Sequence, residues 1–169
     1  MPSFAASRAV NPPGAEPTIT KAQLWAGLGL KIREPTRFVP AITECRVEED
    51  EGDRVVRYVR FGDGPEMREE VTLIPETIAY FEMFPASSSS SSSFSSSAPP
   101  APSARITNLI SHGPAPAHDL LLTFTFSSLP HVSDEEAKTL SDEELNERVG
   151  KGVEGTVEII RALVKEGKL

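Results

Sequence analysis

The sequence is poor in the residues from which disulfides and metal sites are built. Cys45 is its one cysteine, so the chain cannot close an internal disulfide or offer a pair of thiolates to a metal. The histidines, His112, His118 and His131, lie at strand or loop ends with no carboxylates at helical spacing beside them. The glycines at 62 and 64 precede no helix and so form no phosphate-binding loop. We therefore expect neither a metal nor a cofactor.

Positive charge and long apolar runs are scarce as well. Lysine and arginine number 17 against 25 aspartates and glutamates, which leaves a formal net charge of −8. Binding to a phosphate backbone needs clustered basic residues, so we expect no nucleic-acid partner. No apolar run approaches the roughly 18 residues of a membrane-spanning helix, and no charged-then-apolar leader opens the chain. The sequence therefore predicts a cytoplasmic protein without a membrane span.

The length of 169 residues suits one domain, at 1–169, with one hydrophobic core. The segment 85–103 departs from this pattern, because its serine runs surround a single Phe94 and several prolines follow them. Such a segment buries too little apolar surface to offset its ordering entropy, which predicts a disordered insertion between two strands. A lid that folds over a ligand through Phe94 is the alternative.

The C-terminal segment 133–167 has the pattern of one long amphipathic helix. Ser133 with Glu136, and Ser141 with Glu144, each match the capping box of a helix start. Apolar residues recur at steps of three and four, which places them on one helical face: Leu145, Val149, Val153, Val157, Ile160, Leu163 and Val164. The interrupting glycines at 150, 152 and 155 indicate either close packing on a sheet or a bend that makes room for a ligand.

The rest of the chain alternates short elements with turns. We predict a strand at 3–10, a helix at Lys21–Arg33 capped by Thr20, and a short second helical turn at 37–39. Six strands follow, at 42–49, Arg54–Phe61, 67–74, 77–84, 105–111 and 119–127. Their short connections favour antiparallel hairpins. The compact solution is an α+β fold in which a curved seven-stranded antiparallel sheet wraps around the C-terminal helix.

Several segments carry a family resemblance. They are 21–28 (KAQLWAGL), 37–40 (RFVP), 57–62 (RYVRFG), 68–72 (REEVT), 107–111 (TNLIS), 122–126 (LTFTF) and 163–167 (LVKEG). With the element order, they resemble the START-like or SRPBCC superfamily, whose helix-grip fold is shared with the birch pollen allergen and bacterial polyketide aromatase/cyclases. Within it, the chain is most similar to the AtaL-like family of uncharacterised fungal and bacterial proteins. The resemblance implies a cavity between the sheet and the long helix that holds a hydrophobic small molecule.

Arg57 and Glu69 are the candidate catalytic residues. The hairpin that turns at 62–65 places them opposite each other, and both face the cavity if Val55, Val59 and Phe61 do. A buried pair of opposite charges would then orient a carbonyl or phenolate and move a proton. A register change of one residue would instead put both side chains in solvent.

The remaining candidates are expected to line the cavity. They are Trp25, Phe38, Val59, Phe61, Val71, Tyr80, Asn108, Phe124, Val153 and Val157. The inward face of the strand at 77–84 stays open, because a two-residue turn at 75–76 selects Ile78, Tyr80 and Glu82. A longer turn selects Ala79, Phe81 and Met83 instead. Trp25 is interpreted either as core or as cavity wall, and Asn108 either as a cavity amide or as a strand-edge residue.

The sequence thus leads to a hypothesis with two alternatives. The main hypothesis is that the cavity binds a polyketide-like or aromatic metabolite and supports its cyclisation, dehydration or isomerisation in secondary metabolism without a cofactor. The first alternative is a non-catalytic carrier or sensor that uses the same cavity. The second is a chaperone-type accessory protein that docks a partner through the outer face of the sheet.

Overall fold

The computed structural model describes residues 3–86, 101–115, 119–127, 135 and 139–169. The strands are β1 (Phe4–Ala9), β2 (Ile42–Asp50), β3 (Arg54–Phe61), β4 (Glu66–Ile74), β5 (Ile78–Pro85), β6 (Ala104–His112) and β7 (Leu120–Phe126). The helices are α1 (Lys21–Arg33), a 3₁₀ turn (Pro35–Arg37) and α2 (Asp142–Lys165). The short helical turn therefore begins two residues earlier than predicted, because Pro35 suits the first position of a helix.

All seven strands form one antiparallel sheet in the order β1-β7-β6-β5-β4-β3-β2. The edge strand β2 has register shifts between Ile42 and Glu44 and between Val47 and Glu49, and such bulges bend a strand. Helix α2 packs against β1, β7 and α1. The predicted α+β architecture, with a curved sheet wrapped around the C-terminal helix, is confirmed.

Both long helices begin at capping boxes. The Thr20 side chain accepts a hydrogen bond from the Gln23 backbone N–H, and the Gln23 side chain accepts one from the Thr20 backbone N–H. Ser141 and Glu144 repeat this arrangement at the start of α2. The other predicted start, Ser133 with Glu136, lies outside the described residues. Among the described residues, no helix is long and apolar enough to cross a membrane.

Two clusters of buried apolar side chains lie between the sheet and the helices. The larger one joins α1 and α2 to β1, β6 and β7, and the smaller one lies over β3, β4 and β5. Val153, Val157 and Ile160 of α2 belong to the larger cluster and are almost fully buried. The apolar face of α2 is therefore mostly core.

Helices α1 and α2 approach closely at Gly27. A Cβ atom added there would overlap the Ile160 side chain. Gly27→Ala should therefore lower the free energy of unfolding by about 1–3 kcal/mol, although alanine is the better helix former. Urea denaturation followed by the fluorescence of Trp25, the one tryptophan, measures this change.

Gly155→Ala in α2 is the matched control, because a Cβ at that position meets no atom within 4 Å. This variant should gain up to about 1 kcal/mol from helix propensity alone. Equal effects of the two substitutions would contradict the close contact at Gly27.

The segment predicted as a disordered insertion, 85–103, is described only at its two ends. Pro85 closes β5, and the Ser103 backbone N–H donates to the Met83 carbonyl at 2.8 Å, so β5 and β6 pair up to that point. Residues 87–100, with Phe94, lie outside the described residues. The disorder of the insertion and the single-domain organisation of the chain remain predictions.

Candidate functional site

A cavity of about 260 Å³ lies between the inner face of the sheet, α1 and α2. Its apolar wall is formed by Phe38, Val39, Pro40, Ala41, Ile42, Phe61, Phe81, Ile106, Phe124, Phe126 and Val149. Its polar wall is formed by Lys31, Arg57, Glu69, Asn108, Arg148 and Thr156. Five of the eight phenylalanines of the chain thus surround a small set of polar groups. Such a wall suits a flat apolar ligand that carries one or two polar atoms.

Arg57 and Glu69 form a buried ion pair in this wall. They lie opposite each other in the β3–β4 register, as the hairpin predicts, and their side chains are 4% and 2% exposed. The Glu69 Oε2 atom accepts hydrogen bonds from Arg57 Nε and Nη2, both at 2.6 Å. Pairing of this kind offsets much of the free-energy cost of burying the two charges.

Arg57 also closes the C-terminal end of α1. Its Nη1 group donates to the backbone carbonyls of Lys31, at 3.2 Å, and of Ile32. The last carbonyls of a helix have no partner within the helix, so the guanidinium satisfies two of them. These contacts use four of the five N–H groups of Arg57. Counted over the described part of the chain, one N–H on Nη2 therefore remains available to a ligand.

Lys31 is the second buried cation of the cavity. Its Nζ atom donates to Asn108 Oδ1 at 2.9 Å and lies 3.8 Å from the centroid of the Phe124 ring. Burial, followed by the positive charge of Arg57, lowers the pKa of Lys31 from 10.5 to about 7, against the opposing effect of Glu69. A large fraction of this amine is therefore neutral near pH 7.

The titration of Lys31 makes stability depend on pH. Between about pH 7 and 10.5 the unfolded chain binds more protons at this position than the folded protein. Burial of the charged amine therefore lowers the free energy of unfolding by its full amount below pH 7, and this penalty disappears as the pH rises to 10.5. The free energy of unfolding should rise across this window by up to about 1.4 kcal/mol per pH unit.

Lys31→Met removes this titration and is the variant that checks the prediction. Urea denaturation of both proteins should show that the stability of the variant relative to the wild type declines steadily from about pH 7 to 10. A difference that is independent of pH would contradict the burial of a titrating amine.

The structure brings six of the twelve predicted site residues to the cavity wall. Besides Arg57 and Glu69 they are Phe38, Phe61, Asn108 and Phe124. The Asn108 side chain is buried and faces the cavity, so it is not a strand-edge residue. The roles proposed for these residues remain predictions.

The other six predicted residues lie outside the cavity wall. They are Trp25, Val59, Val71, Tyr80, Val153 and Val157. Val153 and Val157 pack in the larger core cluster, Val71 belongs to the smaller one, and Val59 is 1% exposed. Trp25 packs at the edge of the larger cluster.

Tyr80 misses the cavity because of the turn before β5. The Thr77 backbone N–H donates to the Ile74 carbonyl, which makes a turn with Pro75 and Glu76 at its centre, and Glu76 has a φ of 53°. Ile74 pairs with Ile78, so three residues connect the strands. This longer turn buries Ala79, Phe81 and Met83, and Phe81 reaches the cavity in place of Tyr80.

The glycines of α2 have different surroundings. A Cβ at Gly150 would overlap the Arg8 guanidinium, which donates to Glu154 and Asn146 and ties β1 to the helix. Gly152 instead lines the cavity, and a Cβ there meets no atom within 4 Å. Close packing therefore explains Gly150, whereas Gly152 borders the open space of the cavity.

Sequence reasoning missed Lys31, Arg148 and Thr156. Lys31 carries a signal that could have found it, because it lies three residues after Leu28 on the apolar stripe of α1. A lysine inside such a stripe points into the core unless its chain extends to the surface. Thr156 lies one turn after Gly152, to whose carbonyl its hydroxyl donates at 2.9 Å.

Comparison with solved structures supports the fold. A protein from Thermus thermophilus superimposes with a TM-score of 0.58 at 14% identity, covering 95% of this chain and 98% of the other. An uncharacterised protein from Bacillus thuringiensis has a TM-score of 0.53 at 16% identity, with 94% and 98% covered. At these identities the likeness concerns the fold alone.

A di-domain aromatase/cyclase from the steffimycin biosynthetic pathway superimposes with a TM-score of 0.55 at 10% identity. The alignment covers 97% of this chain, which spans about half of the other, at 51%. This likeness, too, concerns the fold.

Comparison with protein-family models is more specific than comparison with solved structures. No curated protein matches the chain. The family model described as acetylaranotin biosynthesis cluster protein L, AtaL, matches residues 4–167. The match spans nearly the whole sequence and agrees with the resemblance carried by its segments. The chain therefore belongs to the AtaL family.

Proposed function

We propose that the cavity binds a small, partly aromatic or polyketide-like molecule and that the protein catalyses a proton transfer within it, leading to cyclisation, dehydration or isomerisation. The observation that carries this proposal is the wall of five phenylalanines around the Arg57–Glu69 pair, Lys31 and Asn108. Apolar walls with a few convergent polar groups are typical of small-molecule sites. The di-domain aromatase/cyclase with the same fold is consistent with this chemistry.

The volume of the cavity restricts the ligand. Sites for drug-sized molecules usually measure about 300–1,000 Å³, and this cavity, at about 260 Å³, lies just below that range. A molecule of one or two fused rings fits better than an extended polycyclic one. The aromatic wall favours stacking of such rings.

The ion pair supplies complementary groups for a proton transfer. The free Nη2 N–H of Arg57 can donate to a carbonyl or enolate oxygen of the ligand. The Oε1 atom of Glu69 accepts no hydrogen bond from any residue that the structure describes, and Glu69 lines the cavity. We assign to Oε1 the removal of a proton from the carbon next to that carbonyl, while the guanidinium stabilises the resulting enolate.

The exchange of α-protons of 2-tetralone for deuterium, followed by NMR, tests this proposal. The protein should accelerate the exchange, and the non-reactive analogue 2-naphthalenemethanol should block the acceleration by occupying the cavity. Glu69→Gln should slow the catalysed exchange by about 10²–10⁴-fold. Glu70→Gln is the matched control, because Glu70 lies on the opposite face of β4, where it pairs with Arg54 and Arg68.

The outcome also separates the alternatives. Binding of 2-naphthalenemethanol without accelerated exchange would overturn the catalytic proposal and leave a carrier or sensor. Absence of binding would overturn the ligand proposal itself. Docking through the outer face finds little support, since the exposed large hydrophobics among the described residues are Val47 and Ile74, which lie on non-adjacent strands.

A further inference from the structure

Lys31 lacks the partner that a buried lysine normally has. Its side chain is 8% exposed and lines the cavity, and no carboxylate of the described residues lies within the 4.0 Å of an ion pair. Its Nζ atom instead contacts a neutral amide oxygen, of Asn108, and the face of the Phe124 ring. The ion pair of Arg57 and Glu69 is complete without it.

The surroundings of Lys31 are those that make an amine nucleophilic. Charged groups of three other elements share its cavity: Arg57 of β3, Glu69 of β4 and Arg148 of α2. Desolvation and the nearby guanidinium of Arg57 both favour the neutral amine, and together they lower the pKa of Lys31 to about 7. A neutral amine has a lone pair that can attack a carbonyl carbon.

We propose that Lys31 is a nucleophile that forms an imine with a ketone or aldehyde carbonyl of the molecule bound in the cavity. This inference rests on the proposed function, because it requires that a carbonyl-bearing ligand enters the cavity. It narrows the ligand to a small aromatic or polyketide-like molecule with a reactive carbonyl. The Arg57–Glu69 pair then lies beside the reacting group in the same wall.

The step balances without an oxidant or a cofactor. The lone pair of Lys31 Nζ forms the C–N bond, the electron pair of the C=O bond moves to oxygen, and one proton of the amine passes to that oxygen to give a carbinolamine. The hydroxyl group then takes up a further proton and leaves as water, and the nitrogen releases its second proton to leave a C=N bond. In its protonated form the imine then acts as an electron sink for removal of a neighbouring proton, which leaves a neutral enamine.

Reductive trapping of 2-naphthaldehyde with cyanoborohydride tests the proposal near pH 7. Hydride from the reagent converts the imine into a stable secondary amine, and peptide mapping by mass spectrometry locates it. Lys31 should be modified at least tenfold faster than the exposed Lys151, whose pKa is raised by its hydrogen bond and charge pairing with Glu147. Prior addition of 2-naphthalenemethanol should protect Lys31, and Lys31→Met should lose the fast modification, whereas Lys151→Met should keep it.

The controls distinguish this inference from the proposed function. If 2-naphthalenemethanol binds but the aldehyde modifies Lys31 no faster than Lys151, the imine is excluded and the binding cavity stands. If 2-naphthalenemethanol does not bind, the proposed function fails and this inference fails with it. Peptide mapping of the wild-type protein shows whether Lys31 forms the imine faster than Lys151, even if Lys31→Met does not fold.

Discussion

Replacing Arg57 with methionine should lower the free energy of unfolding by about 3–5 kcal/mol, because the substitution leaves the Glu69 carboxylate buried without a counter-charge. It also leaves the carbonyls of Lys31 and Ile32 at the end of α1 without their donor. Urea denaturation at neutral pH, followed by the fluorescence of Trp25, measures the loss.

The double variant Arg57→Met/Glu69→Leu is the decisive control. Replacing both partners of a buried ion pair by apolar residues of similar size is often close to neutral. We expect the double variant to recover at least half of the stability that Arg57→Met loses. The remaining loss would reflect the unpaired carbonyls of α1. A double variant as unstable as the sum of the two single ones would mean that the two side chains do not act as a pair.

Gly152→Phe should weaken the binding of small aromatic molecules. Gly152 lines the cavity from α2, and its position has open space where a side chain would grow. A phenyl group there would fill the volume that we assign to the ligand. Binding of 2-naphthalenemethanol, measured by calorimetry, should weaken at least tenfold, which corresponds to about 1.4 kcal/mol. The free energy of unfolding should not fall, because a cavity is filled and a helical glycine is removed.

Gly155→Phe is the matched control for this substitution. Gly155 lies one turn further along α2, also has open space around its position, and does not line the cavity. Its variant should bind 2-naphthalenemethanol like the wild type. If both substitutions weakened binding equally, the effect would come from the helix and not from the cavity.

Most of the fold could be predicted because its signals are local. The two capping boxes mark the starts of α1 and α2, and the proline and glycine turns separate the strands. Antiparallel pairing then follows from short connections, so Arg57 and Glu69 could be placed opposite each other from the turn between their strands alone.

The inner face of β5 could not be predicted because it depends on one turn. A difference of one residue in the connection exchanges Tyr80 for Phe81 in the cavity, and Glu76 adopts a φ that is unusual for glutamate. No propensity in the segment indicates that conformation in advance. The sequence therefore leaves both faces of β5 open, and backbone geometry at the turn places Phe81 and not Tyr80 in the cavity wall.

The cavity walls were predicted less well than the sheet. The periodicity of a helical face does not show whether a side chain packs in the core or faces the cavity. Val153 and Val157 follow the same periodicity as Val149, yet only Val149 reaches the cavity. The positions that face it, Gly152 and Thr156, are not apolar and escape a search for an apolar stripe. Lys31 escaped for the same reason, since a lysine on a helix is usually read as exposed.

A crystal structure of the protein with 2-naphthalenemethanol tests the central claim most directly. We expect density for the two rings between Phe124 and Gly152, with the hydroxyl group within hydrogen-bonding distance of Arg57 or Lys31. Side chains that close the cavity, or a ligand that binds elsewhere while the space between the sheet and α2 stays empty, would contradict the account.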